Sequence, residues 1–456
     1  MNIVFDVIQR DKTMGYKIPK MLAIQFKRIS HLLGLLLSLS ALSIGIVSVS
    51  VPSANAEEAS PITLSGFGTL GLARSSSDDV EFIRDLSQPK GISNGEWSGL
   101  IDTILGVQAN WKIQPELEVV GQLVSRYRYS DNRDPRLDWA FIKWLPDSRL
   151  SLRLGRIGTD IIMLADSRMV GYSYLTVRPN VDFFGPLIFS SIDGVDGSLT
   201  LEVGKGLIRS KVFAGKVQEK VSGSYGTWDT TGSSLHGGII DYLIGPWQFR
   251  FSAADARYSR DIETSEVMQL TDALYATADL TGITEARTAA DGLATKGAHS
   301  YYYSLGATYD NGPIQIQAAA NQITTDTDIF QNSRAGYLLA GYRIKEVTPY
   351  IGISRWISTP KNLVTGLPDT LTIPGGAIDL SELNQGYQTT LDASGVNQTT
   401  YTLGARWDVF PNIALKFQWD AIRGTEDSIN PYAGAQARIG WAGRTDVIST
   451  TLDFTF

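Results

Sequence analysis

The chain contains no cysteine. That excludes a disulfide framework, thiolate metal sites and thiol nucleophiles. Only three histidines occur, His31, His236 and His299, with no metal-ligand spacing between them. Positive charge is also scarce. Forty Lys and Arg stand against 47 Asp and Glu, a net of −7, which makes the chain a poor nucleic-acid binder. Beyond residue 51 no run reaches the roughly 18 apolar residues that a membrane-crossing helix needs. No Gly-x-Ser-x-Gly element is present. The glycine strings "GFGTLG" at 66–71 and "GWAGRTD" at 440–446 lack the strand–turn–helix setting of a phosphate loop.

What is present begins with an export signal. Lys27 and Arg28 precede the apolar stretch 32–51, and Ala54-Asn55-Ala56 follows as a small-x-small cleavage site. Residues 1–56 therefore read as an N-terminal extension with a cleaved signal peptide, and translation starting at Met14 or Met21 is compatible with this. The part removed carries six Lys or Arg against two Asp, so the mature chain from Glu57 is more acidic still.

From there a second pattern takes over. Segments of about ten residues alternate apolar and polar positions, the mark of strands with one greasy and one wet face. On 62–73, Ile62, Leu64, Gly66, Gly68, Leu70 and Leu72 share a face. On 100–113, Leu105, Val107, Trp111 and Ile113 oppose Asp102, Gln108, Asn110 and Lys112. On 116–129, Leu117, Val119, Leu123, Tyr127 and Tyr129 oppose Glu118, Gln122, Arg126 and Arg128. Leu137, Trp139 and Phe141 oppose Arg136 and Asp138, and Leu150, Leu152 and Leu154 oppose Arg149 and Arg153. Further strands follow near 190–203, 207–216, 235–243, 247–257, 299–309, 313–322, 334–343, 347–357, 398–409, 412–422 and 446–456, sixteen in all.

The connections are more telling than any one strand. Tight turns such as "IQPE" at 113–116, "DNGP" at 310–313 and "VFPN" at 409–412 carry Pro, Gly, Asn and Asp. Long connections at 74–98, 158–188, 217–234, 258–298, 323–333, 358–397 and 424–445 lie between them. Short alternating with long is how a transmembrane barrel is built. The expected fold is all-β: a transmembrane, antiparallel, up-and-down β-barrel of about 16 strands over residues 57–456. Aromatics near strand ends, among them Tyr127, Trp139, Trp247, Tyr309 and Trp407, suit girdles at the membrane interface.

A barrel this wide is not filled by its own side chains and leaves an aqueous lumen. Polar inward positions, among them Arg209, Lys211, Arg250, Gln317, Arg406, Lys416 and Asp420, fit such a lumen. The connection 158–188 is unusually apolar for a loop, with Ile161, Ile162, Met163, Leu164, Met169, Val170 and Phe183. Folding it inward onto the wall would explain this and would narrow the channel. Asp160, Asp166 and Asp182 on this candidate constriction loop would then face Arg126, Arg128, Arg136, Arg149 and Arg153, with Glu118 nearby. The bland alternative pairs those arginines with wall carboxylates such as Glu118 and Asp138. Connections 258–298 and 358–397 read as long outer surface loops, rich in Thr, Ala, Gly and Asp.

The opening strand "LSGFGTLGLA", the stretch "LDWAFIKW", the run "LRLGRIG" and the closing alternation onto Phe454 and Phe456 resemble the Gram-negative outer-membrane porins, specifically the general sixteen-stranded trimeric type. The "PEFG" element of the best-known enterobacterial pore loop is absent. The resemblance implies a water-filled channel in the outer membrane that passes ions and small hydrophilic solutes without energy input. It implies a homotrimer, contact with membrane lipid and lipopolysaccharide, no cofactor and no metal. It also implies that Phe454 and Phe456 act as the signal read by the barrel-assembly machinery. Two other classes are weighed. An outer-membrane hydrolase has as seeds only His236 beside Ser234 and His299 beside Ser300, and neighbouring strand residues face opposite ways. A barrel used for loop-mediated binding or adhesion is compatible with a pore.

Overall fold

The computed structural model describes residues 61–456, apart from 188, 224–225, 374–375, 426–427 and 429–440. The signal peptide reading at 1–56 lies outside the described residues. Sixteen strands form one closed antiparallel barrel. They are β1 (Ile62–Ser75), β2 (Ile104–Gln114), β3 (Leu117–Arg126), β4 (Arg136–Trp144), β5 (Leu150–Gly158), β6 (Ser191–Val203), β7 (Gly206–Lys216) and β8 (Ser234–Ile244). Next come β9 (Trp247–Arg257), β10 (His299–Asn311), β11 (Ile314–Thr325), β12 (Asn332–Tyr342), β13 (Val347–Thr359), β14 (Asn397–Phe410), β15 (Ile413–Gly424) and β16 (Arg444–Thr455). Every strand pairs with its neighbours in sequence, and β1 closes on β16 with Leu70 opposite Leu452. Closure leaves no free sheet edge, which a structure in hydrocarbon requires.

Alternation sets the two faces. On β1, Phe67 and Thr69 are buried inside while Leu64 and Leu70 stand exposed outside. Val107, Leu154, Val212, Leu305, Ile351 and Leu403 are likewise exposed large apolar residues on strands around the barrel. An unpartnered apolar exterior around a polar interior is the surface of a membrane-spanning barrel. Gly66 and Gly68 also face outward, but the rings of Phe456 and Phe454 cover them.

One face assignment is corrected. Gln122 pairs with Trp139 but Leu123 pairs with Leu137, so Asp138 is an extra residue on β4. This bulge re-phases the strand. Trp139 and Phe141 turn inward, and Ile142 takes the exposed outer position. Tyr127 also leaves the expected girdle: it is buried, and its hydroxyl donates to Asp131 Oδ1 at 2.6 Å.

Three long connections hold helices that the period-2 reading did not anticipate. Helix α1 (Val181–Phe184) is a single turn in the inner loop described below. Helices α2 (Ser265–Thr281) and α3 (Thr284–Gly292) occupy the connection after β9, and α4 (Ser381–Asp392) the one after β13. Val267, Leu274 and Ala278 bury one face of α2. The helix stops at Gly282, whose φ of 75° suits glycine. Leu274, Ala286, Ala290, Tyr387 and Leu391 share one hydrophobic cluster with Trp228, Tyr258 and Ile329, so these segments form a packed cap at the long-loop end and not a set of free loops.

Candidate channel interior

The connection between β5 and β6 crosses the inside of the barrel. It is held by wall side chains that donate to its backbone carbonyls. Arg250 Nη1 on β9 reaches Asp160 O at 2.7 Å and Ile162 O at 2.8 Å, and Ser252 Oγ reaches Ile161 O. Met163 lies over Gly306 of β10. On the far wall, Lys416 Nζ of β15 donates to Gly171 O at 2.7 Å and Thr176 O at 3.0 Å. Arg406 Nη1 of β14 donates to Tyr172 O at 2.6 Å and Tyr174 O at 3.0 Å. A loop without a sheet partner needs such donors if its buried carbonyls are to be satisfied. Inward-facing residues of β9, β10, β14 and β15 all touch it, which only an interior path allows.

A second set of contacts bolts down its C-terminal half. Arg178 is 1 % exposed. Its Nε and Nη2 bind Asp102 at 2.8 and 2.6 Å, Nη2 also donates to Ser449 Oγ at 2.5 Å, and Nη1 reaches Asp420 at 3.3 Å. Its guanidinium stacks over Phe82. One loop residue thus ties the first long connection to β15 and β16. In α1, Phe183 meets Tyr337 of β12 at 5.1 Å between ring centres.

The residues singled out from the sequence fall into three groups. Arg126, Arg128 and Arg153 face the interior. Arg126 Nη1 donates to Ser87 Oγ at 2.6 Å and lies 3.6 Å from Asp85, Arg128 pairs with Asp138 at 3.0 Å, and Arg153 holds Asp196 while stacking over Phe141. Arg136 bonds the Tyr129 hydroxyl beyond the end of β3. Arg149 lies in the tight turn before β5, exposed, 3.9 Å from Asp147. Glu118 accepts from Asn110 at 3.0 Å and lies 3.7 Å from Lys143. Of the loop acids, Asp160 binds Lys211 at 2.7 Å, Asp182 accepts from Ser354 and Gln398 at 2.5 and 2.6 Å, and Asp166 is exposed. The three acids therefore do not meet the five arginines in direct ion pairs. Wall carboxylates stand nearer and take Arg128 and Arg153, the bland alternative for those two.

No protein-family model matches this sequence, and no curated protein is detectably similar to it. Solved structures do share its architecture. The structure of Salmonella typhi OmpF in complex with daunomycin superposes with a TM-score of 0.50 at 12 % identity, over 87 % of this chain and 97 % of that one. The anion-selective porin from Comamonas acidovorans gives 0.50 at 13 %, over 87 % and 99 %. The fold is that of the sixteen-stranded porins. At this identity the likeness concerns the fold alone.

Within this porin-type barrel the loop acids sit in unlike surroundings. Burial pushes the Asp160 carboxyl up, but Lys211 and Arg250 outweigh it and hold it below the usual carboxylate range. Burial raises Asp182, and the neutral side chains of Ser354, Gln398 and Thr400 oppose it without overcoming it. In the first connection, burial of Asp85 is overcome by Arg126 and the Ser87 hydroxyl, and its carboxyl is held at about 2. Toward the short-turn end a cavity of about 300 Å³ opens beneath Ser173 and Leu175 of the loop, lined by Asp310, Gln317, Arg343 and Arg406. Alternation already marked Arg250, Arg406 and Lys416 as inward. What it missed is Arg178 as the central bolt, because its partners lie 76 to 271 positions away and no local pattern announces them.

Proposed function

We propose that this protein is an outer-membrane channel for passive diffusion of ions and small hydrophilic solutes, narrowed by the loop between β5 and β6. The observation that carries the reading is the loop itself: a segment laid across a charged interior and fixed there by Arg250, Arg406, Lys416 and Arg178. A lumen lined by long charged side chains is wasteful in a sealed core and suits a water-filled path. Arg126, Arg128 and Arg153 on one wall, with Asp160 and Asp166 on the loop, supply a transverse field that sorts solutes by charge. Because the first connection and the helical cap also pack at the long-loop end, the aperture is small and favours ions and small polar molecules.

Export by the cleaved signal at 1–56, insertion guided by Phe454 and Phe456, and a homotrimeric state belong to the same reading and follow from the porin resemblance. The hydrolase alternative loses support: both histidines flank Asp255 on the outer face, His299 Nδ1 at 2.8 Å and His236 Nε2 at 3.4 Å. Contrary to the opposite-face expectation, Ser234 is two residues from His236 and shares its outward side, which faces lipid, so an aqueous substrate would not reach the pair. Liposome swelling tests the proposal. Vesicles holding the folded protein should admit small sugars faster than protein-free vesicles, with a steep size cut-off. Equal rates would reject it.

A further inference from the structure

Asp182, in α1 of the inner loop, is a buried carboxylate without a cation. It is 2 % exposed, and among the described residues it forms no ion pair. Its hydrogen-bond partners are neutral: Ser354 Oγ of β13 donates to Oδ2 at 2.5 Å, and Gln398 Nε2 of β14 to Oδ1 at 2.6 Å. Ser428 Oγ donates to Gln398 Oε1 at 3.0 Å, which fixes that amide with its NH2 group towards Asp182. A donor on each oxygen is how an ionised carboxylate is held. The charges around it are spent on one another. Lys416 pairs with Asp453, Arg178 is shared by Asp102 and Asp420, and Arg84 also neighbours Asp102. One negative charge is left over at Asp182, and the nearby Asp420 repels it further. A buried charge of this kind needs a counter-charge.

A cavity of about 40 Å³ lies against this carboxylate. Asp182, Asp420, Thr400 and Thr402 bring oxygen atoms to it, and Tyr174, Phe184 and Tyr337 close it. A single water needs roughly 10–15 Å³, so the space takes one small ion together with a water. Thr400 is 7 % exposed, and its Oγ1, although close to Asp182, makes no hydrogen bond to it or to any other described group. Thr402 Oγ1 donates its proton to Asp420 at 2.7 Å and keeps its lone pairs free. Hydroxyl oxygens and a carboxylate, with no imidazole or sulfur ligand, are the donor set of a hard cation. Water alone would occupy Thr400 and leave the charge standing. A proton alone would remove the charge and leave Thr400 and the cavity idle. We propose that this cavity is a cation site, holding a hard monovalent ion such as Na+ between the Asp182 carboxylate and the hydroxyls of Thr400 and Thr402. The ion ties α1 to β14 and so tightens the loop. The inference needs the loop to lie inside the barrel, and it does not depend on conduction.

The test is limited proteolysis of the folded barrel in a non-ionic detergent, with N-methylglucamine replacing Na+ at constant ionic strength. Raising Na+ from about 1 to about 300 mM should slow wild-type cleavage within 176–186 about tenfold, the linkage expected of a site half-filled near about 30 mM. Asp182→Asn removes the charge and should show no Na+ dependence. Thr400→Val keeps the charge and loses one ligand, so its protection should need several times more Na+. Sodium nuclear relaxation over the same samples should show saturable binding in the wild type that Asp182→Asn lacks. Gel mobility before and after boiling confirms that each variant is folded. Wild-type cleavage that is the same at both Na+ levels would overturn the proposal. So would protection that comes only on acidification, which would assign the counter-charge to a proton, or a Na+ effect undiminished in both variants.

Discussion

Replacing Arg178 with alanine removes the charge that neutralises Asp102 and Asp420, which are 1 % and 5 % exposed. Water cannot take over, so two carboxylates stay buried next to each other. Breaking a buried pair on one side costs about 3–5 kcal/mol. The barrel absorbs little of this, since no interstrand hydrogen bond involves the guanidinium. The cost falls on the loop, whose bound state loses roughly two to four orders of magnitude in its equilibrium. Lys416, Arg406 and Arg250 still hold other carbonyls, so the C-terminal half should come loose first. Single-channel recording of Arg178→Ala should show larger and noisier currents than wild type, with faster protease cleavage within 176–186. Arg178→Met combined with Asp102→Asn and Asp420→Asn removes all three charges and should return the currents towards wild type. Wild-type conductance, noise and cleavage in Arg178→Ala would refute the claim that this cluster bolts the loop.

Other consequences follow from the same geometry. A side chain at Gly171 would place its Cβ 2.1 Å from Asp453 Oδ1 and 2.3 Å from Thr69 Oγ1, so Gly171→Val should lift the loop off the wall and reproduce the noisy currents. Arg126→Ala with Arg153→Ala should move the reversal potential in a salt gradient towards cation preference, and an unchanged potential would argue against a selectivity role. Asp85 has its folded pKa lowered to about 2, so its ionised form stabilises the first connection. That contribution is complete above about pH 4 and is lost as the pH falls through 2. Protease cleavage within 76–103 should rise in that window in wild type, whereas Asp85→Asn should be cleaved equally at both ends of it.

The barrel was legible because its physics is local. A strand crossing a membrane beside a water-filled lumen must alternate, so Leu105, Val107 and Trp111 against Gln108 and Asn110 reveal β2 without any partner. The inward course of the β5–β6 connection was legible for a related reason: Ile161, Ile162, Met163 and Phe183 are too apolar for solvent. The same rule failed where the period breaks. The extra Asp138 on β4 flips Phe141 inward, and nothing in "LDWAFIKW" shows on which residue the phase slips. Helix α2 was missed because the connection 258–298 reads by composition as a surface loop, and the helical spacing of Val267, Leu274 and Ala278 within it was not weighed. Arg128 and Arg153 found nearer acids, Asp138 and Asp196, than those on the loop, and which acid lies nearer is decided by cross-strand register. Arg178 was beyond reach because its cluster draws on a loop, the first connection and the last two strands.

The most direct test of the account is planar-bilayer recording of the folded protein in a salt gradient. Stepwise openings of small unit conductance, enlarged by Arg178→Ala, are the predicted result. A correctly folded barrel that passes no current, with or without that substitution, would contradict it.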